Sequence, residues 1–356
     1  MHGESTMRLN SILIVKMSAI GDVVMSIPAF HALRAAYPHA RIDWLVEPAA
    51  AALVRNLPGL DRILVFPRPE LARQVRSGNP ASAMRLWLAF KTDLQSTRYD
   101  VVLDLQGLFK SAAMVFLASA ERKAGFRLSR EYTGWALNER IPAHDPERHA
   151  LRRYLDAAVY LGAAYPDPEP VAWLDPPTAA LAGAKQLLEG HEGYIVLVPG
   201  GKPYKQWPPG HWKALADQIG RTIGRQMVIC GAEEDHALGE EIKKTAAGLP
   251  LNLCGSTSLP VLAAVMRKSS LVIAADTGPA HVAAAAGARG IALFGPTRPW
   301  RTGPFGGNFT ILSPSLDCLG CLKRHCARSC MAELPPAAVF SKIVELLEAD
   351  TFRVYE

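Results

Sequence analysis

The stretch "LVIAADTGPAHVAAAAGARGIALFGPTRPW" carries a dense group of residues able to bind an anion. An apolar run ends at Ala275. Asp276, Thr277 and Gly278 form a turn, and Pro279 suits the first position of a helix, where its missing N–H costs nothing. The start of such a helix offers backbone N–H groups and the positive end of the helix dipole, which together suit a phosphate. Gly278 lets a phosphate approach the backbone closely, and His281 projects from the first turn. The alternative is a helix capped by Asp276 or Thr277 with a packing histidine. Spacing alone leaves both open.

A second loop, "LVPGGKPYKQWPPGHW", also follows an apolar run. Gly200 and Gly201 leave its backbone open, while Lys202 and Lys205 supply charge that can compensate a diphosphate. It is not a Walker A motif, because Pro203 follows Lys202. A solvated basic loop is the competing reading. In "CGAEEDHALGEE", Glu233, Glu234 and Asp235 follow a third run, where an acid can accept from ribose hydroxyls. A negatively charged helix start explains them equally well.

The first half has its own candidates. "SILIVKMSAIGDVVMSIPAFHALRAAYP" runs from a strand over Ser11 to Lys16, through a loop ending Gly21-Asp22, into an apolar-periodic segment. Asp22 is either a helix cap or a base. "LDLQGLFKSA" sets Gln106, Gly107 and Lys110 after another strand. "GFRLSREYTGW" and "DPERHALRRY" add Arg127, Arg130, Arg148, Arg152 and Arg153. Arginine recognises phosphate through paired hydrogen bonds, so their concentration hints at an acidic partner. Cys318, Cys321, Cys326 and Cys330 cluster as "CLGCLKRHCARSC", a spacing compatible with zinc or an iron–sulfur cluster; reduced structural thiols are preferred. Cys230 and Cys254 sit in apolar runs as packing residues. There is no G-x-G-x-x-G after the first strand, no Asp-x-Asp and no G-x-S-x-G.

These loops need strands behind them, and the chain supplies them. "SILIVK", "RIDWLVE", "RILVFP" and "YDVVLDLQG" read as strands in the first half. "YIVLVPGG", "RQMVICGA", "LNLCG", "LVIAAD" and "IALFG" read as strands in the second. Helical periodicity lies between them. After Asp22, the spacing of Val23, Ile27, Phe30, Leu33 and Tyr37 predicts one apolar face, and Pro28 is expected to kink or restart that helix. Near-continuous apolar strands alternating with helices imply parallel sheets covered on both faces. The stretch "AYPDPEPVAWLDPP" is a hinge or linker. A chain of 356 residues with 49% hydrophobic and 20% charged residues fits two soluble domains. No apolar run reaches the roughly 18 residues of a membrane span. "MHGESTMRLN" lacks the apolar core of a secretory signal, so a cytoplasmic location is expected. The net charge of +6 permits nucleic acid, an anionic membrane or a phosphorylated substrate. No nucleic-acid motif appears, and that partner is not expected.

Taken in order, "ILIVKMSAIGDVVMSIPA", "LDLQGLFKSA", "GGKPYKQWP" and "DTGPAHVAAAAG" followed by "LFGPT" resemble the bacterial lipopolysaccharide heptosyltransferases, glycosyltransferase family 9. The resemblance runs from about Ser11 into the C-terminal region. It implies an α/β GT-B fold, two facing Rossmann-like domains with parallel sheets and an interdomain cleft. Residues 1–172 would bind the acceptor and 173–356 the nucleotide-sugar, with the last helix a candidate to pack back on the first domain. The implied reaction is an inverting, metal-independent transfer of heptose from ADP-heptose to an inner-core sugar of lipopolysaccharide, with no cofactor required. Asp22 matches the family's general base, Lys16 its nearby strand-end lysine, and Lys205 the lysine at the donor phosphates. Asp276, Thr277, Gly278, Pro279 and His281 match the donor loop, with Gly200, Gly201 and Lys202 assigned beside it. Glycines stand at 200 and 201 where some members carry hydroxyl residues. The ribose-binding acid falls at Glu234 or Asp235. Lys16, Ser18, Gly21, Gln106, Gly107, Lys110, Arg127 and Arg130 are assigned to the acceptor. The implied acceptor lies in the inner leaflet, so peripheral, salt-sensitive contact with the inner membrane is expected. Two rivals stand beside this reading. One is a transferase of the same fold using another sugar or acceptor. The other is a non-catalytic protein that binds sugar-nucleotide or lipopolysaccharide.

Overall fold

A computed structural model describes residues 8–127, 131, 133–142, 145–326 and 329–353. The chain divides into two compact units, Met1–Pro168 and Glu169–Glu356. The first is built on the strands β1 (Ser11–Val15), β2 (Arg41–Val46), β3 (Arg62–Val65), β4 (Tyr99–Asp104), β5 (Ala120–Phe126) and β6 (Glu139–Ile141). They form one sheet in the order β3-β2-β1-β4-β5-β6, and every pairing is parallel. Ile12, Leu13, Ile14 and Val15 are all fully buried. A strand covered on both faces has no polar side to alternate with, which is why β1 reads as an unbroken apolar run.

The second unit repeats the plan with β7 (Ile195–Val198), β8 (Met227–Ile229), β9 (Leu251–Asn252), β10 (Leu271–Ala275), β11 (Gly290–Leu293) and β12 (Phe309–Leu312). Its order, β12-β11-β10-β7-β8-β9, is the first order read from the other edge, and its pairings are again parallel. Alternate residues of β7 enter separate cores: Ile195 and Leu197 join Trp207 and Trp212 on one face, while Val196 and Val198 join Leu262 and Val265 on the other. The last helix, Pro336–Arg353, buries Val339 and Ile343 in the core that holds Trp212.

Three strands, β5, β6 and β12, escape a reading based on apolar runs. β5 is "AERKAGF", with three charged side chains. Residues of β12 are all half-buried, as befits an edge. The helix after Asp22, Ile20–Ala36, also departs from expectation, because it continues through Pro28 without restarting. Its N-terminal half is buried nearly all round, from Val23 to Phe30, rather than along one stripe. Tight packing on every side holds the helical path where one missing N–H would otherwise break it.

The residues between the two units form neither helix nor strand from 163 to 177. The later part of this stretch belongs to the second unit: the Trp173 and Leu174 N–H groups donate to the Ala285 carbonyl at 2.9 and 3.0 Å.

Candidate active site

In a sheet ordered 3-2-1-4-5-6, ligands bind beyond the carboxyl ends of the two central strands, where the chain direction reverses. In the first unit those strands are β1 and β4. The loop after β1 carries Lys16 to Asp22, and the loop after β4 carries Gln106 to Lys110. Side chains join them. Gln106 Oε1 accepts from the Met17 and Ser18 N–H groups at 2.9 and 3.1 Å. Asp104 Oδ1 in turn accepts from the Gln106 and Gly107 N–H groups, a turn that places Gly107 at a φ of 64°. Burial raises the Asp104 carboxyl above its ordinary value, opposed by those N–H groups and by the Ser111 hydroxyl.

Asp22 sits in the first turn of the helix Ile20–Ala36, and the cap position belongs to Ala19, which makes no side-chain cap. The capping reading therefore falls. The carboxylate is 39% exposed. Its Oδ1 accepts from the Tyr154 hydroxyl at 3.0 Å and lies 3.8 Å from Lys16 Nζ. Lys16 is buried and donates to the Leu105 carbonyl at 3.1 Å and to Tyr154 at 2.7 Å. Burial pushes its ammonium below the ordinary lysine value, against the pull of Asp22 and Asp104. Gly21 is buried beside it.

Lys110 is committed within this cluster. It donates to Ser18 Oγ at 2.5 Å and to Glu47 Oε1 at 2.6 Å, and Arg68 reaches the same carboxylate. Glu47 and Tyr154 escape sequence reasoning because tertiary packing, not spacing, brings them to the loop. Arg127 is exposed, Arg148 is bound to Asp156, and Arg130 lies outside the described residues.

In the second unit the central strands are β7 and β10, and again one contact joins their loops. Lys205 Nζ stands 2.6 Å from Asp276 Oδ2, with the carboxylate almost wholly buried. The Thr297 hydroxyl donates to the same oxygen. Thr277 caps the helix Gly278–Ala285 by backbone only, with no side-chain hydrogen bond. Its hydroxyl is buried with no partner among the described residues. A buried hydroxyl without a partner at a helix start fits a site that accepts an anion. His281 is buried in the same helix. Gly201 has a φ of 141°, and a methyl group there would stand 2.6 Å from Thr277 Cγ2; that position tolerates no side chain. Lys202, by contrast, is exposed.

Of the two candidate ribose acids after β8, Asp235 is the less exposed. Its carboxylate accepts from the Ala232 N–H at 2.9 Å, and a Cβ at Gly200 would lie 2.1 Å from Oδ2. Burial raises its carboxyl above the ordinary value. Glu234 is exposed. On its assignment to the ribose, Asp235→Ala is expected to weaken nucleotide binding about tenfold, by loss of a charge-assisted hydrogen bond. Glu234→Ala is expected to leave it unchanged, and titration calorimetry of the two variants separates them.

The four clustered cysteines line one cavity of about 660 Å³ with Tyr204 and Gln206. All are free thiols. Among the described residues no group of three or more His, Cys, Asp and Glu is arranged to hold a metal ion. No described helix is long and apolar enough to cross a membrane.

Two parallel sheets of this order are the plan of the GT-B heptosyltransferase structures that the chain matches. The sequence profile described as glycosyltransferase family 9 (heptosyltransferase) matches residues 87–332. Lipopolysaccharide heptosyltransferase 1 of Pseudomonas aeruginosa is 29% identical over 343 residues, covering 88% of this chain and 87% of that protein. Lipopolysaccharide heptosyltransferase 2 of Salmonella typhimurium is 29% identical over 312 residues, covering 82% and 85%. The structure of Escherichia coli heptosyltransferase WaaC with ADP-2-deoxy-2-fluoro heptose superposes with a TM-score of 0.74 at 26% identity, covering 94% of this chain and 99% of that one. The chain belongs to glycosyltransferase family 9, the heptosyltransferases.

Proposed function

We propose that this chain transfers heptose from ADP-heptose to an inner-core sugar of lipopolysaccharide, with inversion and without a metal. The observation that carries the reading is the likeness to lipopolysaccharide heptosyltransferases along nearly the whole chain, including a solved enzyme holding an ADP-heptose analogue. The first unit would bind the acceptor and the second the nucleotide. The acceptor hydroxyl forms a new C–O bond to the anomeric carbon as the bond to the diphosphate breaks. The hydroxyl proton passes to Asp22, and ADP departs with the bonding electrons.

Asp22 is the base in this scheme because its half-exposed carboxylate stands beyond the carboxyl end of β1, held by the Tyr154 hydroxyl. Lys205, Thr277 and the helix start at Gly278 would stabilise the charge that develops on the diphosphate. Asp235 would accept from the ribose. In the first unit, Gln106, Gly107 and Lys110 would act on the acceptor through the loop they hold. Arg127 and Arg130 would meet acidic groups of the acceptor. Work at the inner leaflet would bring peripheral contact with the membrane on its cytoplasmic face.

The test is a transfer assay with ADP-heptose, ADP-glucose and UDP-glucose against lipopolysaccharide acceptors truncated at successive core sugars. Turnover confined to ADP-heptose and one truncation supports the reading. Turnover with another donor keeps the mechanism and replaces the sugar. Donor binding without turnover on any acceptor points to the non-catalytic rival.

A further inference from the structure

Tyr154 lies on the helix Ala150–Tyr160, and its side chain is among the buried residues of that helix. Its hydroxyl lies 2.7 Å from Lys16 Nζ and 3.0 Å from Asp22 Oδ1. The protonated amine has only donors to offer. Lys16 gives one N–H to the Leu105 carbonyl and one to the tyrosine oxygen. That oxygen is thereby an acceptor from lysine, and its single proton points to Asp22. The lysine itself is 3.8 Å from the carboxylate, beyond hydrogen-bond reach. The phenol is the link between them.

We infer that Tyr154 is a positioning residue for Asp22: it relays the charge of Lys16 to Oδ1 and fixes the rotamer of the carboxylate. The inference rests on the reading of Asp22 as the base. Lys16 comes from the end of β1 and Asp104 from the end of β4. Lys110 comes from the helix Phe109–Leu117 and Arg153 from the helix of Tyr154 itself. Each of these acts on Lys16 electrostatically. A hydrogen bond donated to a carboxylate favours its charged form. Removing that donor makes the base harder to ionise, so the acid limb of kcat/KM moves to higher pH. A residue that only fills space would lower activity without moving that limb.

The experiment records kcat/KM against pH for the wild type, Tyr154→Phe and Asp22→Asn, with ADP affinity measured in parallel. For Tyr154→Phe we expect unchanged ADP affinity, kcat down about tenfold, and the acid limb raised by about one pH unit. Incorporation of 3-fluorotyrosine at Tyr154 keeps the shape and strengthens the donor, so it moves the limb the opposite way and serves if Tyr154→Phe does not fold. An acid limb unmoved in both, with Asp22→Asn inactive, overturns the role of Tyr154 alone. Near-normal turnover in Asp22→Asn overturns the base, and the inference with it.

Discussion

Asp22→Asn is expected to bind ADP like the wild type and to lose about 10²–10⁴-fold in kcat, the contribution of a positioned general base. Beyond removing the charge that faces the buried Lys16 Nζ at 3.8 Å, the substitution keeps the local shape. Asparagine has the same shape, and its carbonyl can still accept the hydroxyl proton of Tyr154, which stands 3.0 Å from Oδ1. The loop keeps its supports, because Gln106 and not Asp22 holds the Met17 and Ser18 N–H groups. What is lost is the ability to take a proton. ADP affinity should be untouched, because the candidate nucleotide residues all lie in the second unit. Calorimetry with ADP and a transfer assay on one preparation read both quantities. Turnover within threefold of wild type would end the role of Asp22 as base.

The second large effect falls on Lys205. Lys205→Ala is expected to lower kcat/KM by about 10²–10³-fold, the range seen when one donor to a developing charge is removed. Two causes act together. The leaving diphosphate loses its cation, and Asp276 is left as a buried carboxylate with Thr297 as its remaining partner. Breaking one side of such a pair costs up to about 3 kcal/mol of stability. A double variant separates the causes. Lys205→Ala with Asp276→Asn should recover most of the melting temperature, because no bare charge remains, yet stay inactive. Recovery of activity in the double variant would show that Lys205 serves only to neutralise Asp276.

Much of the fold can be read from runs of apolar residues, and the reason is burial on both faces. Every residue of β7 and β10 is buried, so neither strand alternates. The edges are harder. β5, beside the edge strand β6, mixes Glu121, Arg122 and Lys123 into its run, with Arg122 spent on Glu139 of β6. Nothing in such a composition separates a strand from a loop. The candidate site divides along the same line. Loops that follow buried strands announce themselves, and the candidates Lys205, Asp276, Thr277 and Asp22 all stand beyond such strands. Partners that arrive from remote helices and strands are silent in sequence. Tyr154 stands 132 positions from Asp22, and no local spacing links them. Pro28 did not restart the helix, which runs unbroken from Ile20 to Ala36 through a densely buried segment.

The ion pair of Lys205 with Asp276 means that the proposed phosphate loop carries its own internal competitor. An incoming anion does not meet a bare cation; it must draw Lys205 from a carboxylate 2.6 Å away. Inorganic phosphate brings only charge to that contest. A nucleoside diphosphate adds base and ribose contacts, and its surplus binding energy can displace the carboxylate where phosphate alone cannot. The cost is the same for every ligand, so the ratio of affinities is unchanged; what falls is occupancy by a ligand whose own contacts barely exceed it. That cost would keep the loop unoccupied in a cell rich in phosphate and poor in sugar nucleotide.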